Sequence, residues 1–258
     1  MKIKEVTEYL DSVFHPELQE DYDNSGFLLG RGDSDFRGAL VALDLTPAVV
    51  AEAVEAGDIN LIVTHHPFIF SGLKRLTDAD ETGRMVWALI QSNIAVYAAH
   101  TNLDSLPWGV SGILAEKLGL HNCRILKGEE VGFGMVGELK REVPADSFLQ
   151  HVKELTGIPV VRTSKHDPQK PLKRVALCGG SGSFLIGDAL AAGADLYLTA
   201  DLKYHDFQCT DGRMVLADIG HYESVQFAKE IIFRIISEKF CNFAVRISER
   251  QHSIVQYI

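Results

Sequence analysis

Two histidines stand side by side in Thr64-His65-His66-Pro67, directly after the apolar run Asn60-Leu61-Ile62-Val63. Neutral imidazole is the commonest side-chain ligand for transition metals, and its near-neutral reference pKa also suits it to proton transfer. Similar residue types recur in Ala99-His100-Thr101-Asn102-Leu103-Asp104, Ala200-Asp201-Leu202-Lys203-Tyr204-His205-Asp206 and Gly220-His221-Tyr222-Glu223-Ser224. A carboxylate such as Asp104 beside His65 and His66 suits a divalent transition metal. Asp104 fits equally well as a cap for the helix that follows Pro107-Trp108-Gly109. His100 reads as a ligand, a substrate contact or a helix-facing polar residue. Lys203 can anchor a phosphate or carboxylate, and His205 can shuttle protons; each also fits a solvated loop.

The elements around these residues place most of them at strand ends. Asn60–Val63 reads as a buried strand, and Pro67, which lacks a backbone N–H, favours leaving the sheet there. Ala39–Leu43 is a second short strand. Thr46-Pro47 then starts a helix with a hydroxyl cap and proline at its first position, and Gly57 stops it. A helix over about 81–92 leads to the strand Ile94–Ala98, which runs into His100. This β-α-β-α-β rhythm predicts parallel strands with right-handed crossovers. Open sheets of this kind carry their chemistry beyond the carboxyl ends of the strands.

The rhythm resumes in the second half. Phe133–Leu139, a short strand at Val160-Val161, Arg174–Cys178, Asp195–Thr199 and Met214–Ala217 read as strands, with helices after Pro144 and near 184–192. The chain is therefore read as two α/β domains with largely parallel sheets, 1–125 and 126–258, with the boundary falling within 121–131. Phe243–Ile247 and Ile254–Ile258 suggest a terminal hairpin, within 242–258, edging either sheet. Asp21-Tyr22-Asp23-Asn24-Ser25-Gly26 reads as a loop closed by its own Asp and Asn side chains, with a direct functional role as the alternative. Cys178-Gly179-Gly180-Ser181-Gly182-Ser183 reads as a tight strand-to-helix turn, with backbone N–H groups presented to an anion as the alternative; it matches neither G-x-G-x-x-G nor a P-loop.

The 258 residues carry a formal net charge of -10, a poor basis for non-specific nucleic-acid binding. The four cysteines, Cys123, Cys178, Cys209 and Cys241, form no C-x-x-C pair, so neither a zinc ribbon nor a disulfide framework is indicated. Buried thiols in a reducing cytoplasm are the expected reading. The N-terminus leads into an amphipathic helix rather than a signal peptide, and no run approaches the ~18 apolar residues of a membrane span.

Taken in order, His65-His66-Pro67, Ala99-His100-Thr101-Asn102-Leu103-Asp104 and Gly220-His221-Tyr222-Glu223-Ser224 resemble the Nif-three-like, YbgI-like dinuclear metal-centre family, often named GTP cyclohydrolase type two. The resemblance covers nearly the whole chain. It implies two α/β domains with a metal pair in the cleft between them, and homohexamers of toroidal shape. It implies His65, His66, Asp104 and His221 as metal ligands, holding two divalent ions (zinc, iron or manganese) per subunit. The family places a further ligand, a glutamate, four residues after the last histidine; here that position is Val225. The second ion is therefore expected to be weakly held, or rescued by Glu223. A metal-dependent hydrolase follows, with His205 or His100 as proton carriers, Lys203 as substrate anchor and a small-molecule substrate. A non-catalytic metal-binding scaffold, metal-delivery or regulatory protein is the competing reading.

Overall fold

The apolar spacing at the N-terminus gives helix α1 (Ile3–Phe14), in which Ile3, Val6, Leu10 and Phe14 are fully buried. His15 follows in a left-handed conformation and Pro16 ends the helix, as its fixed φ and missing N–H require. The computed structural model describes all 258 residues. In chain order α1 is followed by β1 (Gly26–Leu29), β2 (Gly38–Ala42), α2 (Pro47–Ala56), β3 (Leu61–Thr64), α3 (Glu81–Gln91), β4 (Ala95–Ala98) and α4 (Thr101–Asp104). Then come α5 (Val110–Lys117), β5 (His121–Gly128), β6 (Gly132–Pro144), α6 (Ala145–Thr156), β7 (Arg162–Thr163) and β8 (Pro171–Ser181). The last elements are α7 (Ile186–Ala191), β9 (Leu196–Ala200), β10 (Val215–Asp218), α8 (His221–Val225), α9 (Ala228–Lys239) and β11 (Ala244–Ile247).

The fold is α/β with two sheets, and the chain divides into two compact units. The first comprises Met1–Leu103 and Ala228–His252; the second comprises Asp104–Phe227 and Ser253–Ile258. The division thus falls at two points, neither within the expected 121–131, because α9 and β11 return to the first unit.

In the first unit the strand order is β1-β4-β3-β2-β11. The inner strands β4, β3 and β2 are parallel, as their helical crossovers predict, and β1 joins antiparallel. Every residue of β2, β3 and β4 is buried, as expected for a parallel sheet covered on both faces. On one face Leu40, Ala42, Ile62 and Val96 pack with Val49, Val50 and Ala53 of α2 and Met85 and Leu89 of α3. Full burial of each large aliphatic side chain contributes about 1.5–3 kcal/mol, which fixes the sheet against slippage. Thr46 caps α2 by accepting from the Val49 N–H at 3.3 Å.

The second sheet has the order β5-β6-β8-β9-β10-β7. Its centre, β8-β9-β10, is parallel, and the outer strands are antiparallel. Its two faces alternate with the strand period of two. Val175, Leu177, Leu196 and Leu198 join one core with Phe148, Leu149 and Val152 of α6, while Ala176, Cys178 and Tyr197 join another with Leu185 and Ala189.

The expected C-terminal hairpin is not formed. β11 pairs in parallel with β2, and residues 254–258 contain no strand. The short strand expected at Val160-Val161 forms two residues later, as β7. No helix is long and apolar enough to cross a membrane.

Candidate metal centre

The register of the first sheet sets the site. Ala42 pairs with Thr64, and Thr64 with Ala98, so β2, β3 and β4 end flush. Two residues beyond each end lie Asp44, His66 and His100, on neighbouring chains about 4.8 Å apart. Backbone bonds carry the pairing past the strands: His65 N–H donates to Ala42 at 3.2 Å, His66 N–H to Leu43 at 2.9 Å, and Ala99 N–H to Thr64 at 2.9 Å. The row of polar residues at the carboxyl edge is therefore a consequence of three apolar strands of matched length.

One ring nitrogen from each of His65, His66 and His100 lies within 4.8 Å of the others. Ring centroids are 4.7 Å apart for His65 and His66, and 5.4 Å for each of them with His100. His65 is buried; the other two are partly exposed. All three rings are held through Nδ1. His65 Nδ1 donates to the Ala99 carbonyl at 2.8 Å, His66 Nδ1 to Asp44 Oδ1 at 2.6 Å, and His100 Nδ1 to Asp23 Oδ1 at 2.7 Å. A carbonyl or ionised carboxylate can only accept, so each neutral ring carries its proton on Nδ1 and its lone pair on Nε2. This is the outer-shell arrangement that orients metal-ligating imidazoles.

These residues fit a divalent transition metal. Two ligand bonds of ~2.1 Å span at most ~4.2 Å, so a 4.8 Å limit leaves only small ring movements to bring all three nitrogens onto one ion. An all-imidazole set suits zinc, iron, copper or nickel; the carboxylates nearby extend the range toward manganese.

Asp23 is the anchor that the sequence did not reveal. Its side chain has no exposed surface, and it accepts from His100 Nδ1, Asn24 N–H, Ser25 Oγ, Thr101 N–H and Thr101 Oγ. Burial pushes its pKa up, but the bonds from His100 and Thr101 outweigh that and hold it well below the usual carboxylate range. The loop 21–26 does close on itself as expected, through Asn24 N–H and Ser25 Oγ to Asp23, yet those are two bonds of five. Asp44 plays the same part for His66. In the sequence it simply follows the apolar run Ala39–Leu43.

The remaining sequence-derived candidates belong to the second unit. Asp104 closes α4. Burial, with help from the nearby Asp104 charge, pushes the Cys178 thiol up to about 12, so that thiol is inert at neutral pH. His221 opens α8, and its Nδ1 meets Asp201 Oδ2 at 2.7 Å; Ser181 Oγ donates to the same oxygen. The His221 bond, opposed by burial and aided by Ser181, holds the Asp201 carboxyl at about 2. Asp201 adopts a left-handed backbone (φ 56°), a conformation aspartate tolerates through local bonding. Val225, one turn after His221, is buried at 2% exposure; a Cβ at Gly180 would lie 3.6 Å from its Cγ1 and 3.4 Å from His221 Cε1. Glu223 folds back toward Gly220 and receives the Tyr257 hydroxyl. Lys203 and His205 lie on an exposed turn, where the His205 ring meets Tyr204 edge-on at 5.3 Å. In the glycine-rich turn, two of the backbone amides are already engaged: Gly179 N–H donates to Ser111 Oγ and Gly180 N–H to Ser224 Oγ.

The comparisons with known proteins agree with this architecture. The model of the Duf34/NIF3 (NGG1p interacting factor 3) family matches residues 1–253, and the chain belongs to that family. A Streptococcus pneumoniae protein named "GTP cyclohydrolase 1 type 2 homolog" is 35% identical over 237 residues, covering 90% of this chain and 89% of its own. A Lactococcus lactis protein of the same name is 33% identical, with 97% and 96% covered. Among solved structures, a Staphylococcus aureus hypothetical protein superposes with a TM-score of 0.91 at 30% identity, covering 100% of this chain and 99% of its own.

Proposed function

We propose that this chain is a metal-dependent hydrolase whose centre is built on His65, His66 and His100. The observation that carries the reading is that three converging imidazoles are each held through Nδ1 by an oxygen acceptor. Asp104 and His221 are proposed as further ligands on the family resemblance. A divalent ion at such a centre supplies Lewis acidity and lowers the pKa of its water toward ~7.

The chain's own residues supply the rest. Asp23 and Asp44 keep His100 and His66 in the tautomer that presents Nε2. Lys203 is proposed to anchor an anionic substrate group and His205 to carry protons. The names of the relatives suggest a purine nucleotide such as GTP among the substrates. A homohexamer is proposed on the same family ground. The experiment is hydrolysis of a panel of GTP, cyclic amides and phosphoesters, with chelator and after metal restoration. Turnover that chelator abolishes and zinc, iron or manganese restores supports an enzyme. Metal binding without turnover on any of the panel contradicts it.

One observation favours the second reading, a metal-binding scaffold or delivery protein. At the position where the family resemblance implies a carboxylate ligand, the chain buries Val225, and Glu223 is turned toward Gly220. Two ions ~3.5–4 Å apart repel and need anionic ligands, so one ion is proposed to be firmly held and the other weakly.

A further inference from the structure

Gln251 lies 185 residues after His66 in sequence, yet it is buried against the same corner of the first unit. Its Oε1 accepts the Leu43 N–H, and its Nε2 lies 3.4 Å from Asp44 Oδ2. The Leu43 carbonyl receives the His66 N–H at 2.9 Å, and Asp44 Oδ1 holds His66 Nδ1 at 2.6 Å. One glutamine side chain therefore touches both groups that position His66, its backbone partner and its side-chain partner.

The segment carrying Gln251 is seated by its own contacts. Ser248 N–H donates to the Val41 carbonyl at 2.8 Å. Glu52 of α2 collects Ser248 Oγ at 2.5 Å, Glu249 N–H at 3.1 Å and Arg250 N–H at 3.3 Å. Arg250 pairs with Glu55 on the surface. β2 and β3 pair directly with each other, and beyond the Ser248 bond to Val41 the segment adds no strand to them. Its buried amide is spent on the two residues, Leu43 and Asp44, that face His66.

We infer that Gln251 is a positioning residue of the metal centre, and that the segment 248–251 is a clasp setting the orientation and metal affinity of His66. The claim rests on the reading of His66 as a ligand for its affinity consequence, but not for its effect on the ring. Because coupling is reciprocal, metal binding in turn tightens the clasp.

The test uses the full chain and three variants: Gln251→Ala, Gln251→Glu and Lys4→Ala. In metal-free protein at pH 8.5, above the reference histidine value of ~6.5, long-range proton–nitrogen spectra report which nitrogen of each imidazole carries the proton. Gln251→Ala should leave His65 and His100 in the Nδ1–H form while His66 becomes a mixture of tautomers. Its zinc affinity, measured by competition with a chelator, should fall by about 10–100-fold, the range for outer-shell changes. Gln251→Glu keeps the acceptor for Leu43 N–H but sets a carboxylate against Asp44, and should lose affinity too. Lys4→Ala, which breaks only the exposed pair with Asp33 outside the clasp, should match the wild type. An unchanged His66 tautomer in Gln251→Ala overturns the proposal. So does an equal disturbance of all three histidines, which would mark general loosening. If the wild type binds none of zinc, iron or manganese, the hydrolase reading fails while the His66 tautomer still decides the role of Gln251.

Discussion

Asp23 and His100 are 77 residues apart in sequence and meet at 2.7 Å, with the aspartate side chain wholly enclosed. The ring is fixed by a carboxylate that four further donors hold in place, so its orientation is set before any ligand arrives. Asp23→Asn replaces an acceptor-only group with an amide that must turn a donor toward one of those five hydrogens. Zinc affinity should fall by about 10–100-fold. Stability should fall by about 1–3 kcal/mol, the cost of leaving buried polar groups badly paired. Chelator competition and denaturant unfolding read the two effects separately; a variant with wild-type affinity would show that His100 needs no such support.

Asp201 predicts a pH dependence. Its folded value of about 2 lies below the unfolded reference of ~3.9. Its contribution to stability is therefore fully present above pH ~4 and is lost as the pH falls toward about 2. The carboxylate is nearly half exposed, so solvent screens the effect and only its direction is predicted. In metal-free protein the stability gap between wild type and Asp201→Asn should narrow between pH 5 and pH 2. A gap that widens on acidification would contradict the assignment.

Val225→Glu should behave differently with and without metal. Burying a carboxylate beside Gly179 and Gly180 without a partner costs free energy, so the metal-free variant should melt below the wild type. If the side chain faces a cation, zinc should restore the melting temperature and raise the metal content per chain. Destabilisation that zinc leaves untouched would place Val225 in ordinary core.

Gly220 precedes His221 with φ 77°, and a Cβ there would fall 2.2 Å from Glu223 Oε2. Gly220→Ala should cost about 1–3 kcal/mol for the positive-φ, extended-ψ backbone alone, before Glu223 is displaced. Equilibrium unfolding at neutral pH measures it, and a neutral substitution would mean that the turn relaxes into another conformation.

Much of the site was legible because it follows from local pattern. The apolar runs before His65 and His100 and the cap at Thr46 fixed β3, β4 and α2, and parallel pairing then made their ends coincide. What could not be read depended on distance. Nothing near Asp23 signals His100, and nothing near Gln251 signals Leu43. β11 has the composition of any edge strand, and its place beside β2 is set by a partner some 200 residues upstream. β5 begins His-Asn-Cys-Arg, largely exposed and without apolar alternation, so it forms through its pairing with β6 rather than through its own pattern. The sequence leaves His100 open between a ligand, a substrate contact and a helix-facing polar residue; strand register is what brings it to His65 and His66.

The central claim is that His65, His66 and His100 hold a divalent metal. Anomalous scattering from crystals of the untreated protein, with element analysis of the same sample, tests it most directly. A transition-metal peak within ~2.3 Å of Nε2 of these three histidines, absent from a His65→Ala/His66→Ala/His100→Ala variant that remains folded, is the predicted result. A metal bound elsewhere, or retained in full by the triple variant, would contradict the account.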